Sequence, residues 1–544
     1  MSMRFVQRTL LIIAGIILFP AAESGAATVV VTNTNDAGPD SFREALDACW
    51  SAGKDTIVFS IPVTDPGYDP VTRVWTIRPS AGYGVPDGTT VDGTVAVPAS
   101  EGRNLWRPGI EIDGMELAKQ GIIGLFLYSE VSLRGLVVNH FQYGIRVAAN
   151  NVIVERCFVG TDPTGRTAKY NGGDGILIIH EAAGAVIQEN LISGNEGCGI
   201  RISGAPATGN IVRNNRVGTD STGTAALPNK IAGISLHSGA HDNMIENNLV
   251  SGNTGIGIHL YDAGTNGNRI RENRIGTSAD GNTPLPNATF GVSLFNGPCN
   301  NVIGPDNRIA FNGRDGVLVD GSNSFTGTVG NTVTGNSIAA NGGKGIFNFR
   351  GGNAELAAPA VTSVTPSRIA GTAVSLQTVD VYLDEKDEGA CFIGSTPADA
   401  GGNFELSVTN PLTLPCATAT STDANGNTSE FSTPFFVSVI DEKGSTGLRN
   451  FSLHQNHPNP FNAATTIRFD VKMPCTVRLA VCDVAGKERA VPTDRRFEAG
   501  SHEIRFDASG LASGVYLYRI QMGGFTAARK MVLVKVELKK VRRT

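Results

Sequence analysis

The residues able to do chemistry in this chain are spaced by glycines. Two positions past the glycine that opens each of a series of similar short segments stand Arg146, Leu177, Arg201, Ser235, His259 and Ser293. Four positions past it stand Ser203, His237, Tyr261, Phe295 and Asp320. If the segments stack, His237, Tyr261 and Phe295 fall on one face, flanked by Arg201, His259, Asp262 and Asp320. Aromatic faces beside hydrogen-bonding side chains suit a sugar's apolar face and its hydroxyls. His237, Tyr261 and Phe295 are therefore the candidate ligand-binding residues, although a cross-strand stack that only stabilises a sheet uses the same residue types.

Catalysis demands more. Glycoside hydrolysis takes two carboxylates at a defined separation across the bond. Cleavage of a uronate takes neutralisation of its charge, often by Ca²⁺, and a base. The carboxylates on offer are Asp174, Glu189, Glu246, Glu272, Asp315 and Asp320. Asp174 and Asp315 each directly precede the glycine of a strand, as a turn cap does. Glu189, Glu246 and Glu272 lie near a bend but in different columns, and no pair of acids recurs on adjacent segments. Arg201, His259, Asp262 and Asp320 remain as the best catalytic set. The balance favours binding of a glycan or another extracellular macromolecule without turnover. A polysaccharide lyase or glycoside hydrolase is the alternative, and a structural surface spike a third reading.

The elements that would position these residues come from an internal repeat. Asn151–Ile178, Asn210–Leu236 and Asn268–Leu294 align, with starts 59 and 58 residues apart. Shorter units, Ala185–Ile202 and Asn243–Leu260, sit between them, and Asn331–Phe349 keeps the pattern. Each unit holds short alternating apolar runs broken by Gly, Asn or Asp, which read as strands. Such a unit cannot bury its apolar side alone, so units must stack as a solenoid, a parallel β-helix. Two inward columns follow. One is Ile145, Ile176, Ile200, Ile234, Ile258, Val292, Val317 and Ile346; the other is Val147, Ile178, Ile202, Leu236, Leu260, Leu294 and Val319. Asn190, Asn215, Asn248, Asn273 and Asn336 form a column at a bend, able to pass hydrogen bonds from coil to coil. Arg156 is expected to interrupt it. The longer units carry extra residues, Asp162–Gly173, Asp220–Ala232 and Asp280–Thr289, which as stacked loops are natural binding surfaces, although their DPTG and DSTG turns, Asp opening and Gly closing, are ordinary turn chemistry.

Composition agrees with this reading. Glycine is 66 of 544 residues, well above the usual ~7%, and charged residues are 17%, below the usual ~25%. A net charge of −5 offers no basic face for phosphates, so nucleic acid is not an expected partner. Arg4 and Arg8, the apolar run Leu10 to Phe19 and the small residues after it have the three parts of a secretory signal, expected over 1–27. No later segment is long and apolar enough for a membrane helix. Among the eight cysteines no CxxC pair occurs, so neither a zinc site nor a redox motif is expected. Export permits disulfides, with Cys391 and Cys416 in one module as the candidate pair. Cys157 and Cys198 read as small buried apolar residues. No cofactor or metal is predicted. Asp384, Glu385, Asp387 and Glu388 could hold Ca²⁺, but they lack the spacing of a calcium loop and read first as a solvated turn.

Thr32–Ala48 (TNTNDAGPDSFREALDA) and Asp55–Pro62 (DTIVFSIP), with the later GTD…TG and SGN…GI patterns, resemble exported bacterial right-handed parallel β-helix proteins, the opening segment resembling their N-terminal cap. The resemblance runs from about Thr28 to Gly352 and implies fold, not activity. After Gly352, alternating stretches such as Val379–Leu383 and Phe404–Val408 suit a small antiparallel β-sandwich of the immunoglobulin-like kind. FSLHQNHPNPFNAATTIRFDV (Phe451–Val471), VCDVAGK (Val481–Lys487), LASGVYLYRI (Leu511–Ile520) and RKMVLVK (Arg529–Lys535) resemble a type IX secretion sorting domain. That resemblance implies the type IX machinery as partner and a place outside the cell or on the outer-membrane surface. The family pattern usually stops near Lys535, whereas VELKKVRRT follows here. The expected organisation is a signal peptide (1–27), a cap with the first coils (28–130), repeats (131–352), a sandwich module (353–440), a sorting-like sandwich (445–537) and a basic tail (538–544).

Overall fold

The structure, a computed structural model, describes residues 27–52, 55–94, 108–117, 120–179, 181–322, 327–365, 367–384, 388–408, 416–436, 451–471, 474–483, 487–498, 500–522 and 525–535. The expected signal segment, but for Ala27, and the basic tail lie outside these residues.

Among the described residues, three sheets of eleven, eleven and ten strands wind about one lumen, each coil giving one short strand to each sheet, except that the second sheet opens on an antiparallel hairpin of Tyr68–Asp69 with Val74–Ile77. The first sheet runs from Thr28–Val31 to Thr332–Val333, the second from Tyr68–Asp69 to Ser337–Ala339, and the third from Tyr83–Val85 to Ile346–Phe349. Pairing from coil to coil is parallel and in register. Ile200 pairs with Ile234, Ile234 with Ile258, and Ile258 with Val292. Both expected inward columns are buried in a single core. Each strand is too short to stand alone, so its stability is that of the stack.

Polar groups at the three bends are satisfied by asparagine. The expected column is a ladder, Asn190–Asn215–Asn248–Asn273–Asn307–Asn336, in which each Nδ2 donates to the next Oδ1 at 2.8–3.0 Å. Every Oδ1 also accepts the backbone N–H of the preceding rung, as Asn248 does from Asn215 at 3.0 Å. Each Nδ2 also reaches back to a carbonyl, as Asn248 does to Val212 at 2.9 Å. Two further ladders occupy the other bends. One runs Asn210–Asn243–Asn268–Asn301–Asn331, the other Asn171–Asn195–Asn229–Asn253–Asn287–Asn312–Asn341. Only asparagine supplies donor and acceptor at this reach; a column of aspartates would repel and lack donors.

The break in the first ladder is not where the sequence pointed. Cys157, not Arg156, holds the asparagine position, its N–H donating to Asn190 Oδ1 at 2.9 Å. Arg156 stands one residue earlier with φ 53° and pairs with Glu189 at 2.9 Å. Glu189 and Glu272 share that left-handed position, φ 57° for both, so these two acids do lie in one column, three coils apart.

Both ends of the solenoid are covered. At the first coil, helix Phe42–Ala52 buries Phe42, Leu46 and Cys49. Ser41 Oγ accepts the Glu44 N–H at 3.3 Å, and Glu44 Oε2 accepts the Asp40 N–H at 2.6 Å, a reciprocal cap that starts the helix. At the other end sits a module of one three-stranded and one four-stranded antiparallel sheet around Val361, Ile369, Val379, Val381, Phe404 and Ala419. It is bonded onto the last coil. Gly330 N–H donates to Asn427 Oδ1 at 2.6 Å, Val333 N–H to Thr428 Oγ1 at 3.0 Å, and Gly335 N–H to Tyr382 Oη at 3.2 Å. Ile338 and Gly389 exchange backbone bonds at 2.9 Å. The final module has the same two-sheet form around Ile467, Phe469, Val477, Leu479, Tyr518 and Ile520.

Two expectations for the middle module need correction. Asp384 and Glu388 are buried, not solvated. Asp384 Oδ2 accepts the Glu388 N–H at 2.6 Å, and Glu388 Oε2 accepts Asn341 Nδ2 at 3.2 Å, ending the third ladder. Glu385 and Asp387 lie outside the described residues, among which no group of three or more His, Cys, Asp or Glu could hold a metal ion. Cys391 and Cys416 are free. They lie on the two strands that flank Thr378–Asp384, two strand spacings or roughly 10 Å apart, beyond the reach of a disulfide.

Asn248→Ala removes the acceptor for two donors of Asn215 and the donor to Val212 at once. With about 1–3 kcal/mol for each buried group left unpaired, we expect a loss of at least about 3 kcal/mol in chemical denaturation. A loss within the ~0.5 kcal/mol typical of surface changes would show that the ladder is not structural.

Candidate functional site

The third sheet presents the predicted strip. Strand register sets Ser203, His237, Tyr261, Phe295 and Asp320 side by side on successive coils, and Arg201, Ser235, His259 and Ser293 in the neighbouring column. Tyr261 and Phe295 are stacked, ring centroids 5.6 Å apart and 12° from parallel. At that separation the rings are offset, so part of each face stays open, and both are half-buried. His259 leans on Tyr261 at 5.4 Å.

The four catalytic candidates do not converge. Arg201 and Asp320 are four coils apart, roughly 19 Å at one strand spacing per coil. Asp320 is buried and accepts the Ser322 N–H at 2.7 Å, closing a turn. Asp262, one position past Tyr261, accepts Asn296 Nδ2 at 2.9 Å and Ser238 Oγ at 3.4 Å. Arg201 turns away from these groups to Asp174, Nε to Oδ2 3.0 Å.

Asp174 reads in the sequence as a cap of its own turn, but it is a link between coils: its Oδ1 accepts the Cys198 N–H of the next coil at 2.7 Å. Asp315 does the same for Lys344 at 2.7 Å. Asp174 is also a buried anion on the functional face. Burial, only partly offset by Arg201, raises its carboxyl above the ordinary range. Burial alone would lower Arg201, but Asp174 together with Cys198 and Tyr143 outweighs it and holds the guanidinium above its ordinary range. Burial, with His237 adding like charge, pushes His259 down to about 4. Burial and then Arg201 lower His237. The strip thus carries two imidazoles that stay neutral at ordinary pH, each able to donate and accept.

A second cluster went unnoticed in the sequence because its members come from four separate segments. At the bend between the second and third sheets, His140 Nδ1 lies 2.7 Å from Asp113 Oδ1. Burial works to raise Asp113, but His140, Lys169 and the Met115 N–H together offset it and hold the carboxyl below its ordinary range. The pair fixes the imidazole tautomer and leaves Nε2 to act as a base. Arg78 Nε stands 3.9 Å from Asp113 Oδ2, and Tyr170 meets His140 edge-on at 6.4 Å. Beside it, buried Glu111 accepts Lys169 Nζ at 2.7 Å, Thr76 Oγ1 at 2.8 Å and Asn139 Nδ2 at 2.8 Å, which ties the first long loop to the solenoid. The first two long loops repeat one form, and in the third Ser278 opens the turn where Asp162 and Asp220 open theirs. Asp162, Asp220 and Asp280 each accept two or more backbone N–H groups of their own turn.

In the last module the segment around Asn456 is locked into the core. Asn456 N–H donates to Tyr518 Oη at 2.8 Å, its Nδ2 to Thr465 Oγ1 at 2.9 Å, and Asn459 Oδ1 accepts the Val532 N–H at 2.8 Å. Residues 456–535 match the family model for a secretion system C-terminal sorting domain, and residues 104–275 match that for a right handed beta helix region. The chain is an exported right-handed β-helix protein with a type IX sorting domain. It is secreted or held at the cell surface, and no described helix is long and apolar enough to cross a membrane.

No curated protein matches the chain. Among solved structures, this β-helix protein is similar to the A-module of the Azotobacter vinelandii mannuronan C-5 epimerase AlgE6, at 16% identity, 58% of this chain, 77% of that one and a TM-score of 0.35. It is similar to the periplasmic alginate epimerase AlgG at 14% identity, 59% and 81% coverage and a TM-score of 0.32. For the Agl-KA catalytic domain the values are 14%, 61% and 68%, and 0.31.

The histidines set a pH window. His259 is lowered from 6.5 to about 4 in the fold, so the unfolded chain binds more protons between those values. Stability from this residue is full above about pH 6.5 and is lost as pH falls toward 4. We expect the melting temperature of the β-helix protein to fall across that window and His259→Gln to flatten the fall; an unchanged slope would place His259 in contact with water.

Proposed function

We propose that this exported protein holds a linear polysaccharide along the outward face of its third sheet without cleaving it. The observation that carries the reading is the offset Tyr261–Phe295 stack, half-buried and 5.6 Å between centroids, beside neutral His259 and His237. The open parts of the rings match the apolar faces of sugar units, and the imidazoles with Asp262, Asn296 and Ser238 match their hydroxyls. The face is a run of parallel strands hydrogen-bonded in register, so binding costs it little ordering entropy. Arg201 is fixed by Asp174 and adds a positive edge.

The Asp113–His140 pair favours a second reading, a polysaccharide-cleaving enzyme in which His140 is the base. One panel of cellulose, xylan, pectin, alginate and chitin fragments separates the two. We expect binding that weakens at least about tenfold in Tyr261→Ala with Phe295→Ala, the loss of roughly one aromatic contact or more, with no release of reducing ends or unsaturated uronates. Binding that survives the double variant rejects the strip. Product release that disappears in His140→Ala establishes the enzyme, and neither binding nor release leaves a structural spike.

Display is tested separately. Deletion of Phe451–Thr544 is expected to abolish appearance of the protein outside the cell while the solenoid accumulates inside; undiminished export would remove the sorting role of the last module.

A further inference from the structure

The face that carries the strip continues to the capped end of the solenoid, where the sequence showed nothing. Helix Phe42–Ala52 turns Phe42, Ala45, Leu46 and Cys49 into the core, the one apolar stripe an amphipathic helix needs. Trp50 is off that stripe and 52% exposed. Its indole instead meets Tyr128 edge-on, centroids 5.1 Å apart at 78°, and Tyr128 is itself 37% exposed. Phe126 leans on Tyr128 at 4.9 Å. The Arg146 guanidinium lies over the Phe126 ring at 5.2 Å, a cation–π contact.

The floor between the rings is bare. Gly84 pairs with Phe126 across the sheet and occupies an outward position on the first strand of the third sheet. A Cβ there would meet both Trp50 Cζ2 and Tyr128 Cε2 at 3.6 Å, ordinary contact, so the glycine leaves a gap about one methyl group wide beside two exposed aromatic side chains. Its backbone does not demand glycine, since no left-handed φ occurs at this residue. What the glycine supplies here is space.

Position then links the two aromatic sites. Tyr128 belongs to the same outward column as His237, Tyr261 and Phe295, each one residue past the inward column that runs Leu127, Val147, Ile178, Ile202, Leu236, Leu260 and Leu294. Six coil steps separate Tyr128 from Phe295, roughly 29 Å at one strand spacing each. Between them the column holds only Ala148, Ile179, Ser203 and His237 before Tyr261, and Arg146 and Arg201 line its side. From this we infer that Trp50, Phe126 and Tyr128 around Gly84 form a second sugar-binding subsite, engaged by polysaccharide chains long enough to reach it from the Tyr261–Phe295 stack. The inference rests on the polysaccharide reading above and adds a length requirement to it. Two sites on one rigid face, bridged by one chain, convert the second contact into an intramolecular one.

The test uses the full chain and size-fractionated oligosaccharides, from disaccharide to decasaccharide, prepared from each member of the panel. Affinity is expected to rise with length and then level off once the chain spans both sites. Trp50→Ala and Tyr128→Ala, each of which removes one exposed ring, are each expected to weaken the decasaccharide about tenfold and to leave the disaccharide unchanged. Tyr261→Ala is expected to weaken both. Equal affinity of both variants and wild type for the decasaccharide, with Tyr261→Ala still weakened, would overturn the second subsite alone. Equal weakening of disaccharide and decasaccharide by Trp50→Ala would overturn the length requirement. No binding of any fragment by wild type would overturn the polysaccharide reading itself.

Discussion

Every coil of this protein must turn three corners, and at each corner backbone and side-chain amides leave water without a strand partner. The asparagine ladders meet that demand. A rung accepts two donors from the coil before it, gives two to the coil after it, and returns one to a carbonyl it has passed. The cost of an unpaired buried amide is comparable to the whole net gain of several ordinary hydrogen bonds, so the ladders are what permits an aliphatic lumen only one residue deep. They also couple the coils. Removing one rung disturbs the coil on either side, which makes the solenoid act as one cooperative unit although each strand spans only two to six residues.

A stack of parallel strands has two raw edges, and raw edges recruit further strands. The helix at one end and the sandwich module at the other close them by different means. The helix offers an apolar stripe, while the sandwich offers matched polar groups: Asn427, Thr428, Tyr382 and Glu388 receive the hydrogen bonds that a next coil would have taken. The middle module therefore belongs to the solenoid energetically as well as by sequence order. The acidic residues Asp384 and Glu388 illustrate why this was hidden. In sequence they look like a charged surface turn, and only the arrival of Asn341 from another part of the chain turns Glu388 into a ladder terminus.

The outward face shows the same division. The columns of the strip were legible because a two-residue strand period and a repeated glycine fix which side chains face out; His237, Tyr261 and Phe295 stand where counting put them. The partners of the charged residues were not. Arg201 seeks Asp174 in the preceding coil, Asp262 joins Ser238 and Asn296 of the coils on either side, and Asp320 closes its own turn, so a set of residues that looks catalytic on paper is three separate devices in space. His140 and Asp113 gave no signal, being 27 residues apart in coils of irregular length.

Sequence by itself determined the solenoid, the two inward columns, one ladder, the outward strip and the sorting module, because each is written as a repeating or locally contiguous pattern that needs no knowledge of distant residues. Tertiary structure alone decided the other two ladders, the place of Cys157 in the first, the separation of Cys391 from Cys416, the sealing of the last coil and the aromatic cluster over Gly84. The physical reason is the coil itself. Successive rungs of one ladder are 25 residues apart in one step and 33 in the next, so which residues become neighbours depends on loop lengths that only the closed turn of backbone reveals.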